Sequence, residues 1–272
     1  METLFSCPVC RKALFREAKR MVCAEGHSFD IAKDGFVNLL LRQKGGTHGD
    51  NREMLLARRN FLSQGYYEPL AKAAVDMCAP YLRETPSLLD AGCGEGYYAA
   101  YLDSGLRRGG STPHFVCIDI SREALRLVAR RLPSADKAVA GLYDLPLRDG
   151  SFDCVFCFFS PLVPKEFSRV LREGGIFLMA VPGRRHLFAL KEILYEKPYE
   201  NRVEDSRLEG FSLLDERRVY GKITVEDQDN IHALFGMTPY YYRTPKTGHD
   251  KVAALEELET EIEFHLFLYR KK

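Results

Sequence analysis

The chain has 272 residues, of which 46% are hydrophobic and 28% are charged, and its formal net charge is +1. These values are typical of a globular protein with one large core and a small appendage. No apolar run approaches the roughly 20 residues that span a bilayer, and the first residues lack the basic and apolar segments of a signal peptide. We therefore expect a cytoplasmic protein without membrane contact, whose paired cysteines bind metal instead of forming disulfides.

Charge is distributed unevenly along the chain. Residues 1–60 contain eleven Lys or Arg and seven Asp or Glu, a formal +4, so the remainder is near −3. A basic N-terminal segment on a mildly acidic body is compatible with a polyanionic partner. A basic surface that is merely solvated is an equally good interpretation of the charge alone.

Four ligand-type residues dominate the first thirty positions. Cys7 and Cys10 form one pair, Cys23 and His27 form a second, and twelve residues separate the pairs. Two such pairs at the ends of a short hairpin, here over residues 13–22, supply the four tetrahedral ligands that zinc prefers, with Gly26 easing the second turn. Because all four positions are filled, we expect a structural zinc ion, and a redox Cys-x-x-Cys pair or coincidence are the weaker alternatives.

The remaining sequence divides into a linker and a larger domain. Residues 1–36 are predicted to form a zinc-ribbon-like domain, residues 37–60 a linker with glycines among polar residues, and residues 61–272 the main domain. Helical periodicity begins at Arg52 and is interrupted around Gly65 and Pro69.

Apolar runs and helical segments then alternate. Strands are predicted in "SLLDAG", "HFVCIDI", "AVAG", "SFDCVFCFFS" and "IFLMAVPG". Helices are predicted over Gly96–Leu106, in "SREALRLVARRL" with Ser121 as N-cap, and in "PKEFSRVLREGG". This alternation indicates an α/β protein with a parallel sheet and helices on both faces.

A glycine loop with acidic residues follows the first of these strands. In "LLDAGCGEGYY", Gly92, Gly94 and Gly96 allow a sharp turn and the close approach of a ligand. Dinucleotides, phosphates and S-adenosylmethionine (SAM) all use such turns, so the loop alone is a weak signal. Asp90 and Glu95 disfavour a pyrophosphate and favour SAM, which carries an ammonium and a sulfonium.

Asp119 ends the next strand, where its carboxylate can accept hydrogen bonds from both ribose hydroxyls of a nucleoside. A helix-capping role is the alternative for this residue on its own. The ordered set of strand, acid, glycine loop, strand and second acid favours a SAM site, with the loop after the third strand near the adenine.

The pattern "LLDAGCGEGYY…CIDIS…LPLRDGSFDCVF…LREGGIFLMAVPG" resembles the class I SAM-dependent methyltransferases over about residues 88–183. The zinc spacing, "GHSFDIAKDGFVNLLL", "ARRNFLSQGYYEPL", "PGRRHLFALKEILYE" and "MTPYYYR" extend the resemblance to one family. It is the bacterial ribosomal large-subunit methyltransferase A, a 23S rRNA (guanine-N1)-methyltransferase, with its tylosin-resistance relatives.

This resemblance implies a Rossmann-like, mostly parallel seven-stranded sheet with a small N-terminal zinc-binding domain, and a homodimer. It implies SAM and zinc as cofactors and a guanine in a hairpin of 23S rRNA as the substrate. By resemblance, Cys7, Cys10, Cys23 and His27 bind zinc, and Tyr67, Gly94, Glu95 and His186 contact SAM. Tyr67 could otherwise pack in the core, and His186 could simply start a helix.

The segment "CFFSPL" follows the fourth strand, where methyltransferases of this class hold the acceptor base. Phe158, Phe159 and Pro161 could pack against a purine, or the two phenylalanines could belong to a buried strand. The family has Ala-Pro-Cys where this chain has Ser160-Pro161-Leu162, so the base contacts do not carry over directly.

Methylation at N1 requires loss of the N1 proton, for which Asp144 and His186 are candidate bases. The ribbon cations are candidates for RNA phosphate contacts; they are Arg11, Lys12, Arg16, Lys19 and Arg20. A methyltransferase acting on a small molecule or a protein is the alternative within enzymes. A non-catalytic module that binds SAM and zinc is the alternative outside them.

Overall fold

The computed structural model describes residues 2–41, 49–203 and 206–272. Its first part is an antiparallel four-stranded sheet in the order β1-β2-β3-β4. These strands are β1 (Glu2–Ser6), β2 (Ala13–Glu17), β3 (Arg20–Cys23) and β4 (Ser28–Asp30). The predicted hairpin over residues 13–22 is confirmed by the antiparallel pairing of β2 with β3. The N-terminal region formed by residues 2–31 is called the ribbon below.

A second, larger sheet forms the body of the protein. Its strands are β5 (Phe36–Asn38), β6 (Ser87–Ala91), β7 (His114–Asp119), β8 (Asp136–Val139), β9 (Phe152–Phe158), β10 (Leu171–Pro182), β11 (Phe211–Val225) and β12 (Leu258–Lys271). Their order is β11-β12-β10-β9-β6-β7-β8-β5. β12 runs antiparallel to both β10 and β11, and the other neighbours are parallel.

The helices follow the predicted alternation. They are α1 (Arg52–Ser63), α2 (Glu68–Cys78), α3 (Tyr97–Arg108), α4 (Arg122–Arg131), α5 (Pro164–Val170), α6 (Phe188–Leu194), α7 (Gln228–Gly236) and α8 (Lys246–Ala253). Ser121 caps α4 as predicted, since its Oγ accepts from the Ala124 N–H at 3.4 Å. Gly65, at φ +83°, separates α1 from α2.

The predicted α/β class I architecture is confirmed, with one strand more than the seven expected. The additional strand is β5, which pairs in parallel with β8. The predicted linker, residues 37–60, therefore begins inside a strand and ends inside α1, and its residues 42–48 lie outside the described residues. The domain boundaries themselves stay a prediction.

One predicted helix is shorter than the sequence indicated. The helix expected over residues 164–175 ends at Val170, and Leu171 already belongs to β10. Leu171 is fully buried and pairs with Phe152 of β9, so burial in the sheet overrides the helical pattern at this point.

The two faces of the large sheet are covered differently. One face packs against α1–α4 and α6–α8 in a single apolar cluster. The other face packs against α5 and the ribbon, whose Phe5, Leu14 and Met21 share a cluster with Leu89 and Val116 of the sheet. Helices on both faces were predicted, but the ribbon takes most of the second face.

The ribbon is attached to the loop that follows β8. Phe5 forms an antiparallel bridge with Leu147, and the Ser6 N–H donates to the Pro146 carbonyl at 2.9 Å. Arg11 forms an ion pair with Asp144 in the same loop. Within the part of the chain that the structure describes, no helix is long and apolar enough to cross a membrane.

Candidate active site and metal centre

The four predicted zinc ligands lie together at one end of the ribbon. Their ligand atoms are all within 4.8 Å of one another in Cys7, Cys10, Cys23 and His27. Cys23 Sγ lies 3.6 Å from Cys10 Sγ and 3.3 Å from His27 Nδ1. Zinc–sulfur and zinc–nitrogen bonds of about 2.0–2.3 Å in a tetrahedron give ligand separations of this size.

Thiolate chemistry at this cluster also fits zinc. Burial raises the pKa of Cys23, but the hydrogen bonds from the Glu25 and His27 backbone and from the His27 ring outweigh it and lower the pKa to about 6. Gly26, at φ +82°, makes the turn between the two ligands, as the sequence predicted. Four protein ligands leave no open coordination position, so the geometry suits a structural ion.

The glycine loop lies where the strand order of the large sheet reverses. β6 has β7 on one side and β9 on the other, and ligands of open α/β sheets bind at the carboxyl ends of strands at such a point. Gly92 and Gly94 have φ of +86° and +52°, which favour glycine. A Cβ on Gly92 would lie 2.5 Å from Ser160, the residue that closes the loop from the β9 side.

Three acidic side chains converge on this loop. Asp90, Glu95 and Asp119 each have a raised pKa, for which burial is the largest cause. The charges of Asp119 and Glu95 add to the shift at Asp90. A concentration of buried negative charge that repels itself is stabilised when a cationic ligand binds.

Glu95 is a buried carboxylate whose hydrogen-bonding capacity is not filled by the surrounding protein. Its side chain is 1% exposed, and neither carboxylate oxygen makes a hydrogen bond of good geometry among the described residues, although the Tyr97 N–H and the arginine charges nearby lower its pKa in part. Arg131 Nε lies 3.0 Å from Oε2, but not in a direction that makes a hydrogen bond. Buried carboxylates are rarely left unsatisfied in this way, so the site fits a ligand with a positive group.

Asp119 is oriented by the backbone around it. Its Oδ2 accepts from the Gly94 N–H at 2.9 Å, and its Oδ1 accepts from the Ser121 N–H at 2.8 Å. Each oxygen retains a lone pair that can accept a further hydrogen bond. This arrangement matches the ribose-binding carboxylate that the sequence predicted.

Tyr67 and His186, far apart in sequence, are in contact. Tyr67 Oη lies 3.1 Å from His186 Nε2, and His186 Nδ1 accepts from the Glu263 N–H at 3.3 Å. Because Nδ1 accepts, the ring proton belongs on Nε2, which donates to Tyr67. Burial, with the nearby charge of Lys191, lowers the pKa of His186 to about 3, so the imidazole is neutral.

Asp144 lies away from this group. It belongs to a short 3-10 turn, Leu142–Asp144, in the loop that holds the ribbon. Its side chain is 73% exposed and pairs with Arg11. The structure thus brings together Tyr67 with His186 and the three acids with the glycines, but it leaves Asp144 on the surface beside the ribbon.

The segment after β9 separates into buried and exposed residues. Phe158 is buried, and its ring centroid lies 5.0 Å from that of Tyr98 and 5.6 Å from that of Phe156. Phe159 is 46% exposed and has φ +57°, a left-handed conformation that is uncommon for a bulky residue. Strained residues of this kind cluster at functional sites.

One pair beside the loop was not predicted from the sequence. Arg58 and Asp50 form a half-buried ion pair, and Arg58 Nη1 is 3.4 Å from where a Cβ on Gly94 would lie. Asp50 also accepts, through its carbonyl oxygen, from Ser121 Oγ at 3.3 Å. Arg58 lies within the motif "ARRNFLSQGYYEPL", whose own periodicity indicates only a helix, so the signal was present but not specific.

Two parts of the chain match known protein families. Residues 5–45 match a zinc-ribbon family described as RlmA, N-terminal. Residues 89–179 match a family described as a methyltransferase domain. The chain therefore combines a zinc ribbon with a SAM-dependent methyltransferase domain.

Solved structures show the same fold at low sequence identity. The MccD protein is 19% identical with a TM-score of 0.50, over 75% of this chain and 98% of that chain. The YcgJ protein from Bacillus subtilis is 13% identical with a TM-score of 0.50, over 76% of this chain and 99% of that chain. At this identity the likeness shows the fold alone.

Relatives of similar length are closer in sequence. A Micromonospora griseorubida protein, provisionally named a 23S rRNA (guanine-N(1)-)-methyltransferase, is 32% identical over 92% of this chain and 91% of its own length. The 23S rRNA (guanine(748)-N(1))-methyltransferase of Streptomyces fradiae is 34% identical over 69% of this chain and 66% of its own length. The chain belongs to the 23S rRNA (guanine-N1)-methyltransferase family.

Proposed function

We propose that this protein transfers a methyl group from SAM to N1 of a guanine in a hairpin of 23S rRNA. The observation that carries the proposal is the group of acidic side chains, Asp90, Glu95 and Asp119, around the glycine loop where the strand order reverses, with the exposed Phe159 at the end of the neighbouring strand. The Streptomyces fradiae relative is named for this reaction. The ribbon supports a macromolecular substrate, because a methyltransferase of small molecules has no evident need for it.

In the proposed cofactor site, each residue has a distinct role. The two oxygens of Asp119 accept from the ribose hydroxyls, and Asp90 and Glu95 attract the cationic groups of the cofactor. Gly92 and Gly94 let the backbone approach it closely. Tyr67 accepts from His186, which leaves the phenol O–H free to donate to the cofactor.

Phe159 is proposed to stack on the acceptor guanine. Its ring is exposed at the carboxyl end of β9, and Pro161 beside it is exposed as well. Unstacked bases are commonly held against aromatic side chains. Phe158 is assigned to packing, because it is buried within the core.

SAM supplies an electrophilic methyl group on its sulfonium. In the transfer, the N1–carbon bond forms as the sulfur–carbon bond breaks, and the N1 proton is released. His186 is a poor base for this proton, because Nδ1 already accepts a hydrogen bond and its pKa is lowered to about 3. Asp144 is a poor base because it is exposed and paired with Arg11.

The proton is therefore proposed to leave to water, and the protein's contribution is mainly orientation. Holding a nucleophile in line with the reacting carbon can supply a large share of a rate enhancement. In this proposal the glycine loop and the three acids hold the cofactor, and Phe159 holds the acceptor base.

The remaining assignments complete the proposal. Cys7, Cys10, Cys23 and His27 hold the structural zinc ion, and the ribbon takes part in recognising 23S rRNA. A cytoplasmic location, expected from the composition, and a homodimer, implied by the family resemblance, stay predictions.

The deciding experiment is methyl transfer from labelled SAM to unmodified 23S rRNA transcribed in vitro, followed by nucleoside mass spectrometry and primer extension. We expect 1-methylguanosine at a single hairpin position and no product with Asp90→Asn. If folded, zinc-loaded protein binds SAM but methylates no RNA, the proposal is wrong, and a small-molecule or protein substrate takes its place.

Phe159 offers a second, independent test. Phe159→Ala should lower kcat/KM for RNA by about tenfold, the size expected for one lost base-stacking contact. Phe159→Tyr should keep most of the activity, because the ring remains. Equal activity of both variants with the wild type would remove Phe159 from the acceptor site.

A further inference from the structure

A narrow cleft between α1 and α4 is lined by arginine. Its volume is about 100 Å³, and its lining includes Arg52, Arg59, Arg126 and Arg130 with leucines at its base. Glu123 is the one acidic residue in the lining. A space that holds about three water molecules can take a phosphate group but not a nucleobase.

Most of this positive charge is uncompensated. Arg52, Arg59 and Arg130 are exposed, and their side chains form no ion pair or hydrogen bond within the described ranges, although the charge of Arg59 also acts on the Glu95 carboxylate. Arg126 differs, because it pairs with Glu123 and lies 3.5 Å from Asp34. Three free guanidinium groups thus face the cleft.

The spacing of these residues works against the stability of the protein. Arg122, Arg126 and Arg130 follow one another at intervals of four on α4, and like charges at this interval destabilise a helix. Arg59 adds a further cation from α1. Only Arg126 has ion-pair partners among the described residues, so an anionic ligand would stabilise the remaining arginines.

The position of the cleft connects it with the catalytic pocket. Arg52 follows two residues after Asp50, which pairs with Arg58 beside the glycine loop and accepts from Ser121 Oγ. At the side of the cleft, Arg126 contacts Asp34, which lies in the chain between the ribbon and β5. A strand leaving the pocket can therefore pass the cleft on its way to the ribbon.

The ribbon cations, in contrast, are largely compensated by neighbouring carboxylates. Arg11 pairs with Asp144, and Lys12 pairs with Glu25. Arg20 lies 3.2 Å from Glu17. Arg52 and Arg59 belong to the basic N-terminal 60 residues of the sequence, but they lie on α1 in the body and not in the ribbon.

We propose that the cleft between α1 and α4 binds the phosphate backbone of the RNA strand next to the acceptor guanine. This inference rests on the proposed rRNA methyltransferase function and adds a contact site to it. Arg52 and Arg59 are seven residues apart on one helix, about 10 Å along its axis, so the two side chains can contact separate phosphates of one strand. The contacts position the strand and carry no base specificity.

The test compares three multiple variants by filter binding to unmodified 23S rRNA transcribed in vitro, over a series of KCl concentrations. The first combines Arg52→Gln, Arg59→Gln and Arg130→Gln, which break no ion pair of the described protein. The second replaces the same three residues by Lys, which keeps the charge that a phosphate requires. The third is a control with the same loss of charge elsewhere on the exposed surface: Lys72→Gln, Lys165→Gln and Lys246→Gln.

We expect the Gln variant to bind RNA about tenfold or more weakly, and its salt dependence to be shallower by about two in log–log slope. The Lys variant should recover most of the affinity, and the control should stay within about twofold. SAM affinity should change far less than RNA affinity, since Arg59 acts on Glu95 only through its charge, and thermal stability should stay equal or rise, because like charges on α4 are removed.

Two outcomes would contradict the inference in distinguishable ways. If wild-type protein binds and methylates the RNA but the Gln variant matches it in affinity and salt slope, the cleft is not a contact site and the proposed function stands. If wild-type protein neither binds nor methylates the RNA while it binds SAM, the proposed function fails and the cleft proposal fails with it.

Discussion

The two faces of the eight-stranded sheet are covered by different kinds of structure. One carries seven helices among the described residues, and their apolar sides form a continuous cluster with the sheet. The other carries α5 and the ribbon, a small domain of short strands with a metal cluster at one end. The ribbon therefore packs against the catalytic domain and covers one face of its sheet.

The comparison shows how a metal can take the place of helical packing. A segment of fewer than about 40 residues seldom builds a core of its own, and a metal or a neighbouring surface must supply the missing stability. Here both contribute, because the zinc ligand Cys7 and its neighbour in the ribbon, Leu14, are fully buried in the cluster that the ribbon shares with the sheet. The helical face depends on burial alone, so the two faces should respond differently to specific changes.

Loss of a zinc ligand should have the largest effect. Cys7→Ser removes a ligand that also lies in the shared core, and we expect it to abolish stoichiometric zinc and to lower the free energy of unfolding by at least about 3–5 kcal/mol. Metal content by atomic emission and urea unfolding by circular dichroism measure the two effects. Chelation of wild-type protein should reproduce them.

The matched control is Cys78→Ser, a buried cysteine on the helical face. It should leave one zinc ion per chain and cost less stability, since no metal depends on it. Wild-type stability of Cys7→Ser would show that the metal does not support the second face.

Truncation of the ribbon core should have the next largest effect. Phe5 is fully buried and bridges to Leu147, so Phe5→Ala should cost about 3–5 kcal/mol, as for other buried phenylalanines. Phe61→Ala, equally buried on the helical face, should cost a similar amount. Both should unfold in one transition, whereas an independent ribbon would leave the main transition of Phe5→Ala at its wild-type midpoint.

A smaller effect, on the pH dependence of stability, should come from the helical face alone. His186, on the helical face, has its pKa lowered to about 3 by burial and by the charge of Lys191. In the unfolded chain this histidine binds a proton below about pH 6.5, whereas in the folded protein it stays neutral. The free energy of unfolding therefore falls as the pH falls below that value. Between pH 6.5 and pH 5 the loss should be about 2 kcal/mol.

His186→Asn should remove this loss, because Asn cannot titrate and its Oδ1 can still accept from the Glu263 N–H. Urea unfolding at a series of pH values, with zinc in excess, measures it. His232→Asn, at an exposed position, is the control and should keep the wild-type slope. An unchanged slope in His186→Asn would show that the histidine is not held neutral.

Sequence reasoning reached the elements whose signals are local. The glycine loop, the cap at Ser121 and the spacing of the zinc ligands each follow from a few neighbouring residues, and the structure has all three. The eighth strand and the burial of the ribbon against the sheet were not predicted. They depend on pairing between β5 and β8, about a hundred residues apart, and no local pattern encodes such a contact.

In the candidate site, too, local features could be predicted from the sequence and long-range contacts could not. Each acid of the pocket could be named from its place at a strand end, but the orphaned state of Glu95 depends on the angle at which Arg131 approaches. Likewise, Tyr67 and His186 were named separately, and their contact fixes the ring proton and weakens the case for a base. Asp144 shows the reverse, because its sequence position near the adenine loop gave no hint of its pairing with the ribbon.

The smallest effect is expected at this last contact, where the ribbon meets the loop after β8. The Arg11–Asp144 pair is largely exposed, so Asp144→Asn should change stability by no more than about 1 kcal/mol. As a docking contact, it should change kcat by less than about threefold, whereas loss of a general base costs about 100-fold or more. Steady-state methylation of 23S rRNA with each variant measures kcat directly.

Asp149→Asn is the matched control, because Asp149 is also exposed and paired with an arginine, Arg169, but has no contact with the ribbon. The two variants should behave alike in kcat, and neither should alter the pH profile. A 100-fold loss confined to Asp144→Asn, with an acidic limb missing from its pH profile, would identify Asp144 as the base. In that case the ion pair from the ribbon would position a catalytic carboxylate, and the second face of the sheet would contribute to the chemistry as well as to the stability of the protein.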